Sequence, residues 1–145
     1  MNFSSFKVPY AIDEQYSSRV AYFSMEFAVS QPLKIYSGGL GFLSGSHMRS
    51  AYELRQNLVG IGILWKYGYY DQARNQDQTL QVQWNEKIYN FLEDTGITFK
   101  IDIHEHPVWV KVWYLNPETF KSAPMFLLST DLPENDYVSQ TISHR

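Results

Sequence analysis

Three glycines in four residues, within Tyr36-Ser37-Gly38-Gly39-Leu40-Gly41, are the part of this sequence best suited to chemistry. Glycines directly before a helix let the backbone come close to a ligand, while amide N–H groups without helical partners point outward. Such a site prefers an anion. Helix-start amides and the helix dipole stabilise negative charge without a cationic side chain, each charge effect contributing about 0.3–1 kcal/mol when exposed. A tight strand-to-helix turn would use the same glycines, and spacing by itself leaves both readings open. The dinucleotide fingerprint is absent: no glycine stands three residues after Gly41 and no acidic residue ends the next apolar run, which disfavours a nicotinamide cofactor.

Other chemistry-bearing residues carry less. His104-Glu105-His106 would put two histidines on one side of a strand, a geometry metal sites use, but no third ligand is evident and Pro107 marks a bend, so no metal is expected. Glu93-Asp94 and the pair Glu134 and Asp136 read as solvated loop ends rather than a paired acid and base. Trp65, Tyr67, Tyr69 and Tyr70 divide between core packing and a sugar platform. His47 lies on the helix face below the glycines and reads as a core histidine satisfied by a neighbouring hydrogen bond.

The elements that would position the glycines follow from periodicity. Val20-Ala21-Tyr22-Phe23 suits a strand covered on both faces. From Gly38, the residues Leu40, Leu43, His47, Ala51 and Leu54 recur at three and four positions, one face of a helix running to about Gln56, with Asn57 as a left-handed cap. Residues 58–64 form a second buried strand, in which Gly60 and Gly62 allow close approach by a helix. Strand, helix, strand implies a crossover joining parallel strands, with the glycine loop at their carboxyl edge. Beyond Trp65 the pattern turns antiparallel: residues 99–103 and 108–115 alternate and form a hairpin, and residues 124–129 add a strand to the main sheet. Residues 1–18 are an arm that packs on the domain, and residues 19–145 form the folded unit.

Composition bounds the partners. The chain has 145 residues, net charge −3, no cysteine, and an aromatic share of 17% that strand-rich cores commonly absorb. With no basic surplus and no Lys/Arg stripe, nucleic acid is not an expected partner. No stretch approaches the roughly 20 apolar residues of a membrane span, and no leader pattern opens the chain, so a cytoplasmic location is expected and membrane is not. The absence of cysteine excludes disulfides and cysteine-bound metal.

Taken in order and spacing, Val20-Ala21-Tyr22-Phe23-Ser24-Met25-Glu26-Phe27, the glycine loop, Gly60-Ile61-Gly62-Ile63-Leu64 with Gly68-Tyr69, and Thr130-Asp131-Leu132-Pro133-Glu134-Asn135-Asp136 resemble the opening of bacterial alpha-glucan phosphorylases. The resemblance implies an α/β fold, here an incomplete Rossmann-like N-terminal lobe of a two-lobe glycosyltransferase with an inserted antiparallel β hairpin. It implies phosphorolysis of an alpha-1,4-glucan or maltooligosaccharide by inorganic phosphate, with pyridoxal phosphate as cofactor. The cofactor's lysine belongs to a second lobe outside this chain, so the chain alone is expected to be inactive; a homodimer is left open. On matching positions, Gly38, Gly39, Leu40 and Gly41 would face the phosphate and glucose, Glu26 would be the site's carboxylate, positioning loop or sugar, and Ser37 and His47 would support them. Val29-Ser30-Gln31 and Ser46 depart from the family pattern, which leaves substrate preference open.

Two rivals stand beside this. A sugar-nucleotide-dependent glycogen or starch synthase shares the loop but usually carries a lysine two residues before the first glycine, where this chain has Tyr36, with Lys34 two residues too early. A non-catalytic carbohydrate-binding or assembly module would keep the lobe without turnover.

Overall fold

The computed structural model describes residues 3–144, apart from the side chain of Ser4. The ends of the expected arm and lobe, residues 1, 2 and 145, lie outside the described residues. Strand β1 (Val20–Phe23), helix α1 (Gly39–Glu53) and strand β2 (Leu58–Ile63) form the expected crossover, with β1 and β2 parallel and Val20 opposite Leu58. Strand β7 (Met125–Ser129) runs parallel to β2 on its other side. Strands β6 (His106–Leu115) and β5 (Glu93–Ile103) then extend the sheet antiparallel, giving the order β1-β2-β7-β6-β5.

The expected hairpin therefore is a continuation of the main mixed sheet rather than an insertion beside it. A second hairpin, β3 (Asp71–Arg74) with β4 (Leu80–Gln83), stands apart. Strand β3 is polar, and β4 alternates Leu80 and Val82 with glutamines over only four residues, with both apolar side chains exposed, so neither buries a core face. Two short helices, α2 (Pro117–Phe120) and α3 (Tyr137–Thr141), are capped by the Asn116 and Asp136 side chains.

Three local expectations are corrected. The buried face of α1 is Gly41, Ser44, Gly45, Met48 and Ala51, whereas Leu40, Leu43 and Leu54 are exposed. The chain segment after β1 lies so close to α1 that a Cβ at Gly45 would meet the Ala28 carbonyl oxygen at 2.3 Å, and only small residues fit beneath it. Strand β1 is a sheet edge, with Phe23 69% exposed, rather than a strand covered on both faces. The left-handed residue after α1 is Arg55, at φ 55°, not Asn57, whose side-chain amide instead donates to the Ser17 carbonyl at 2.8 Å.

The core lies between α1, the sheet and the segment of residues 27–35. Phe27, Leu33, Ile35, Met48, Met125 and Leu127 are fully buried in it. Gly60 serves the expected close approach of a helix, since a Cβ there would meet Met48 Cε of α1 at 2.6 Å, whereas Gly62 makes room for the segment after β1, where a Cβ would meet the Phe27 ring at 2.8 Å. Phe3 and Phe6 of the arm pack edge-on against Tyr114 and Phe126 on the sheet. Among the described residues, no helix is long and apolar enough to cross a membrane.

Candidate functional site

The glycine loop sits where β1 delivers the chain to the carboxyl edge of the parallel strands. Glu26, three residues past β1, turns its carboxylate back onto the loop. The Ser37 amide donates to Oε2 at 3.1 Å, the Gly38 amide to Oε2 at 3.3 Å, and Ser37 Oγ to Oε1 at 3.2 Å. The Tyr69 hydroxyl, from the segment following β2, also donates to Oε1. Burial alone would raise the Glu26 carboxyl, but the Tyr69 hydroxyl, the two amides and the Ser37 hydroxyl outweigh it and hold the group below its ordinary value. At neutral pH Glu26 is therefore an anion committed to acceptance, suited to fixing the loop and unsuited to donating a proton.

The backbone on either side is clamped as well. Ser44 Oγ, fully buried on α1, faces the Glu26 carbonyl and lies 3.0 Å from the Leu40 carbonyl and 3.1 Å from that of Gly41. The Ala28 amide donates to the Gly41 carbonyl at 2.8 Å, and Trp65 Nε1 to the Met25 carbonyl at 2.9 Å. Carboxylate, loop and first helical turn thus behave as one piece.

The glycines divide into two kinds. A Cβ at Gly41 would stand 2.6 Å from Tyr36 Cβ and 3.1 Å from Glu26 Oε2, so this glycine is required by packing. At Gly38 and Gly39 nothing lies within 4 Å of an added Cβ. Gly38 as the N-cap residue brings no side-chain cap, and Glu26 takes its amide, so the exposed residues Gly39 and Leu40 are left at the open helix start while Gly41 is buried. Beside them the strand edge forms an open, mainly apolar groove of about 450 Å³ lined by Phe23, Met25, Leu40, Ile61, Ile63 and Leu128, among others.

Glu26, Ser37 and Gly38 to Gly41 are thus brought together. His47 is not part of this group: it is exposed on α1 with its ring against Tyr22, centroids 4.8 Å apart, and is no core histidine, because the small-residue stripe rather than the leucine face turns inward. Of the aromatic set, Trp65 is buried and Tyr69 reaches Glu26, while Tyr67 and Tyr70 meet Trp84 edge-on. The roles of Tyr69 and Ser44 escape sequence reasoning; the one available signal, a tyrosine following Gly68 just beyond β2, does not identify a partner.

The other polar candidates are structural. His104 and Glu105 occupy the two-residue turn between β5 and β6 at φ 49° and 65°, so His104 is not on a strand beside His106. His106 Nε2 lies 2.9 Å from Asp136 Oδ2. Asp94 pairs with Lys111 at 2.6 Å, within β5 rather than at a loop end. Among the described residues no group of three or more His, Asp or Glu side chains could hold a metal ion.

No family model matches the chain. Over 124 residues it is 52% identical to an uncharacterized protein of Methanocaldococcus jannaschii, a match covering 86% of this chain and 24% of that protein. It is 31% identical over 137 residues to the glycogen phosphorylase of Mycobacterium tuberculosis, covering 87% of this chain and 15% of the enzyme. Against the maltodextrin phosphorylase of Thermococcus litoralis the identity is 33% over 131 residues, covering 85% and 15%. The chain is phosphorylase-related over most of its own length and spans a quarter or less of the length of these relatives.

Proposed function

We propose that this chain supplies the phosphate-facing and sugar-facing glycine loop of an alpha-glucan phosphorylase, a glycosyltransferase that splits an alpha-1,4-glucan with inorganic phosphate to give glucose 1-phosphate. The observation that carries the reading is the pair Gly38 and Gly39: no contact within the chain requires their missing side chains, yet they open onto helix-start amides at the carboxyl edge of a parallel sheet. Space that the fold itself does not use is space for a ligand. The phosphorylase names of the relatives supply the chemical class.

In this reading the amides at Gly39 and Leu40 stabilise negative charge that develops on phosphate oxygens during transfer, and Gly41 lets the loop pack closely against Tyr36 and Glu26. Glu26 keeps the loop in place. Its own negative charge opposes an anion drifting toward the Ser37 side and so favours the open Gly39 side. The apolar groove at the strand edge receives the less polar face of the terminal sugar. Pyridoxal phosphate would be anchored in the second lobe of such an enzyme and would supply an acidic phosphate group close to the inorganic phosphate, with the open Gly38 and Gly39 of this chain leaving room for both. Its lysine anchor belongs to that second lobe, so the 145 residues by themselves are proposed to be inactive. Glucan and phosphate are the proposed partners, and the cytoplasm is the proposed location.

The test is a polypeptide carrying this chain at the length of its phosphorylase relatives, supplied with maltooligosaccharide and inorganic phosphate. Phosphate-dependent glucose 1-phosphate release is expected. Glucan extension from a sugar nucleotide without such release would reassign the donor to the synthase class, and glucan binding without either reaction would leave a binding module.

A further inference from the structure

A second, polar groove of about 350 Å³ is formed by the segment of residues 34–37, which leads into the glycine loop, and the segment of residues 68–72. Its size reaches the lower end of the range of small-ligand pockets, about 300 Å³. We propose that this groove is a sugar-binding subsite, taking a glucosyl unit of an oligosaccharide whose neighbouring unit lies at the glycine loop; the proposal rests on the glucan reading above.

Four observations converge. The groove combines aromatic rings, Tyr36 and Tyr70, with hydrogen-bonding groups of several types, Lys34, Ser37, Asp71 and Gln72. Sugar rings present both an apolar face and a rim of hydroxyls, and such a lining offers surfaces for each. Among the described residues, no hydrogen bond engages the Tyr36 or Tyr70 hydroxyl, the Gln72 amide or the Lys34 ammonium, whereas the lysines around the neighbouring cavity, Lys66, Lys87 and Lys111, are all ion-paired. The lining charges balance, with one lysine and one aspartate, and Asp71, held down by its bonds to Lys87 and Asn85, is also lowered by the nearby Lys34 charge, which leaves room for a neutral ligand.

The fourth observation is backbone strain aimed at the same place. Gly68 and Tyr69 both have left-handed backbones, φ 57° and 68°, uncommon for a bulky residue such as tyrosine. A Cβ at Gly68 would lie 2.4 Å from the Lys34 carbonyl oxygen, so the two walls of the groove touch through backbone there. This turn delivers the Tyr69 hydroxyl to Glu26 and so fastens the groove to the glycine loop.

The experiment titrates the isotope-labelled 145-residue chain separately with maltopentaose and with inorganic phosphate, following backbone amide shifts. Maltopentaose is expected to move Lys34, Tyr36, Ser37, Tyr70 and Gln72. Tyr70→Ala, at a residue 45% exposed and outside the core, is expected to weaken its binding at least about fivefold, and Gln72→Ala to weaken it about twofold to fivefold. Maltopentaose shifts at Gly38 to Gly41 and Ile61 but none at Tyr70 and Gln72 would overturn the subsite while leaving the proposed function standing. No maltopentaose shifts at all, or shifts unaffected by both variants, would also overturn it. Groove shifts with maltopentaose but no phosphate shifts at Gly39, Leu40 and Gly41 would support the subsite and count against the phosphorylase reading of the loop.

Discussion

Substituting the loop glycines one at a time separates packing from ligand approach. At Gly41 an added Cβ meets Tyr36 Cβ at 2.6 Å, about 1 Å closer than ordinary carbon contact, and Tyr36 Cβ can yield only if its backbone moves. Overpacking of this kind costs about 1–3 kcal/mol, against a gain of about 0.5–1 kcal/mol from replacing glycine by alanine within a helix. Gly41→Ala is therefore expected to destabilise the chain by about 0.5–2 kcal/mol and to loosen the Glu26 contacts. Gly39→Leu meets nothing within 4 Å at its Cβ, so its folding cost is near zero or slightly negative, yet the side chain occupies the open helix start. Urea midpoints of the two variants against the parent measure the first effect, and phosphate dependence of glucose 1-phosphate release in the relative-length polypeptide measures the second. The expected result is a lowered midpoint with Gly41→Ala and an unchanged midpoint with crippled phosphate use for Gly39→Leu. A Gly39→Leu protein with parental phosphate affinity and turnover would refute the assignment of that opening to a ligand.

Acid should release the loop. Because the folded Glu26 carboxyl lies below its ordinary value, its stabilisation is complete above about pH 4.3 and is lost as the pH falls through the lower folded value; amide exchange at Ser37 and Gly38 should accelerate there and not above it. Tyr69→Phe removes the strongest hydrogen bond holding the carboxyl down, so a carbon-detected titration of Glu26 should move toward the ordinary value, with no movement arguing against the contact. Gly45→Ala places a Cβ 2.3 Å from the Ala28 carbonyl oxygen and should cost about 2–3 kcal/mol by chemical denaturation, with a parental midpoint contradicting the close approach. Asn135→Ala leaves the Trp109 amide and the Trp109 and Thr130 carbonyls without the side chain that now bonds all three, and a loss of about 2–4 kcal/mol is expected; less than 1 kcal/mol would mean that water replaces it readily.

Long-range electrostatics alone would place an anion anywhere along the helix start. What limits it here is the prior occupation of the Ser37 and Gly38 amides by a carboxylate of the same chain. The loop carries its own anion on one side and exposes the remaining amides on the other.

Sequence by itself determined the crossover of β1, α1 and β2, the placement of the glycine loop at the carboxyl edge, and the strands at residues 99–103, 108–115 and 125–129, while the first half of β5, residues 93–98, carried no such pattern. These depend on local patterns: short apolar runs, a period of 3.6, and glycine pairs before a helix or within a strand. The gathering of Ser37 and Gly38 around Glu26 spans only 11 and 12 residues, yet no periodicity signals it. Tertiary structure decided the rest. Which face of α1 turns inward was set by a backbone segment lying against Gly45, a contact that reverses the usual preference for burying leucine. Tyr69 reaches Glu26 across 43 residues because a left-handed turn at Gly68 aims it there, and hairpin β3–β4 forms although its one apolar pair, Leu80 and Val82, stays exposed. Packing against distant backbone leaves no repeat in the sequence, so its consequences become visible only when the chain has folded.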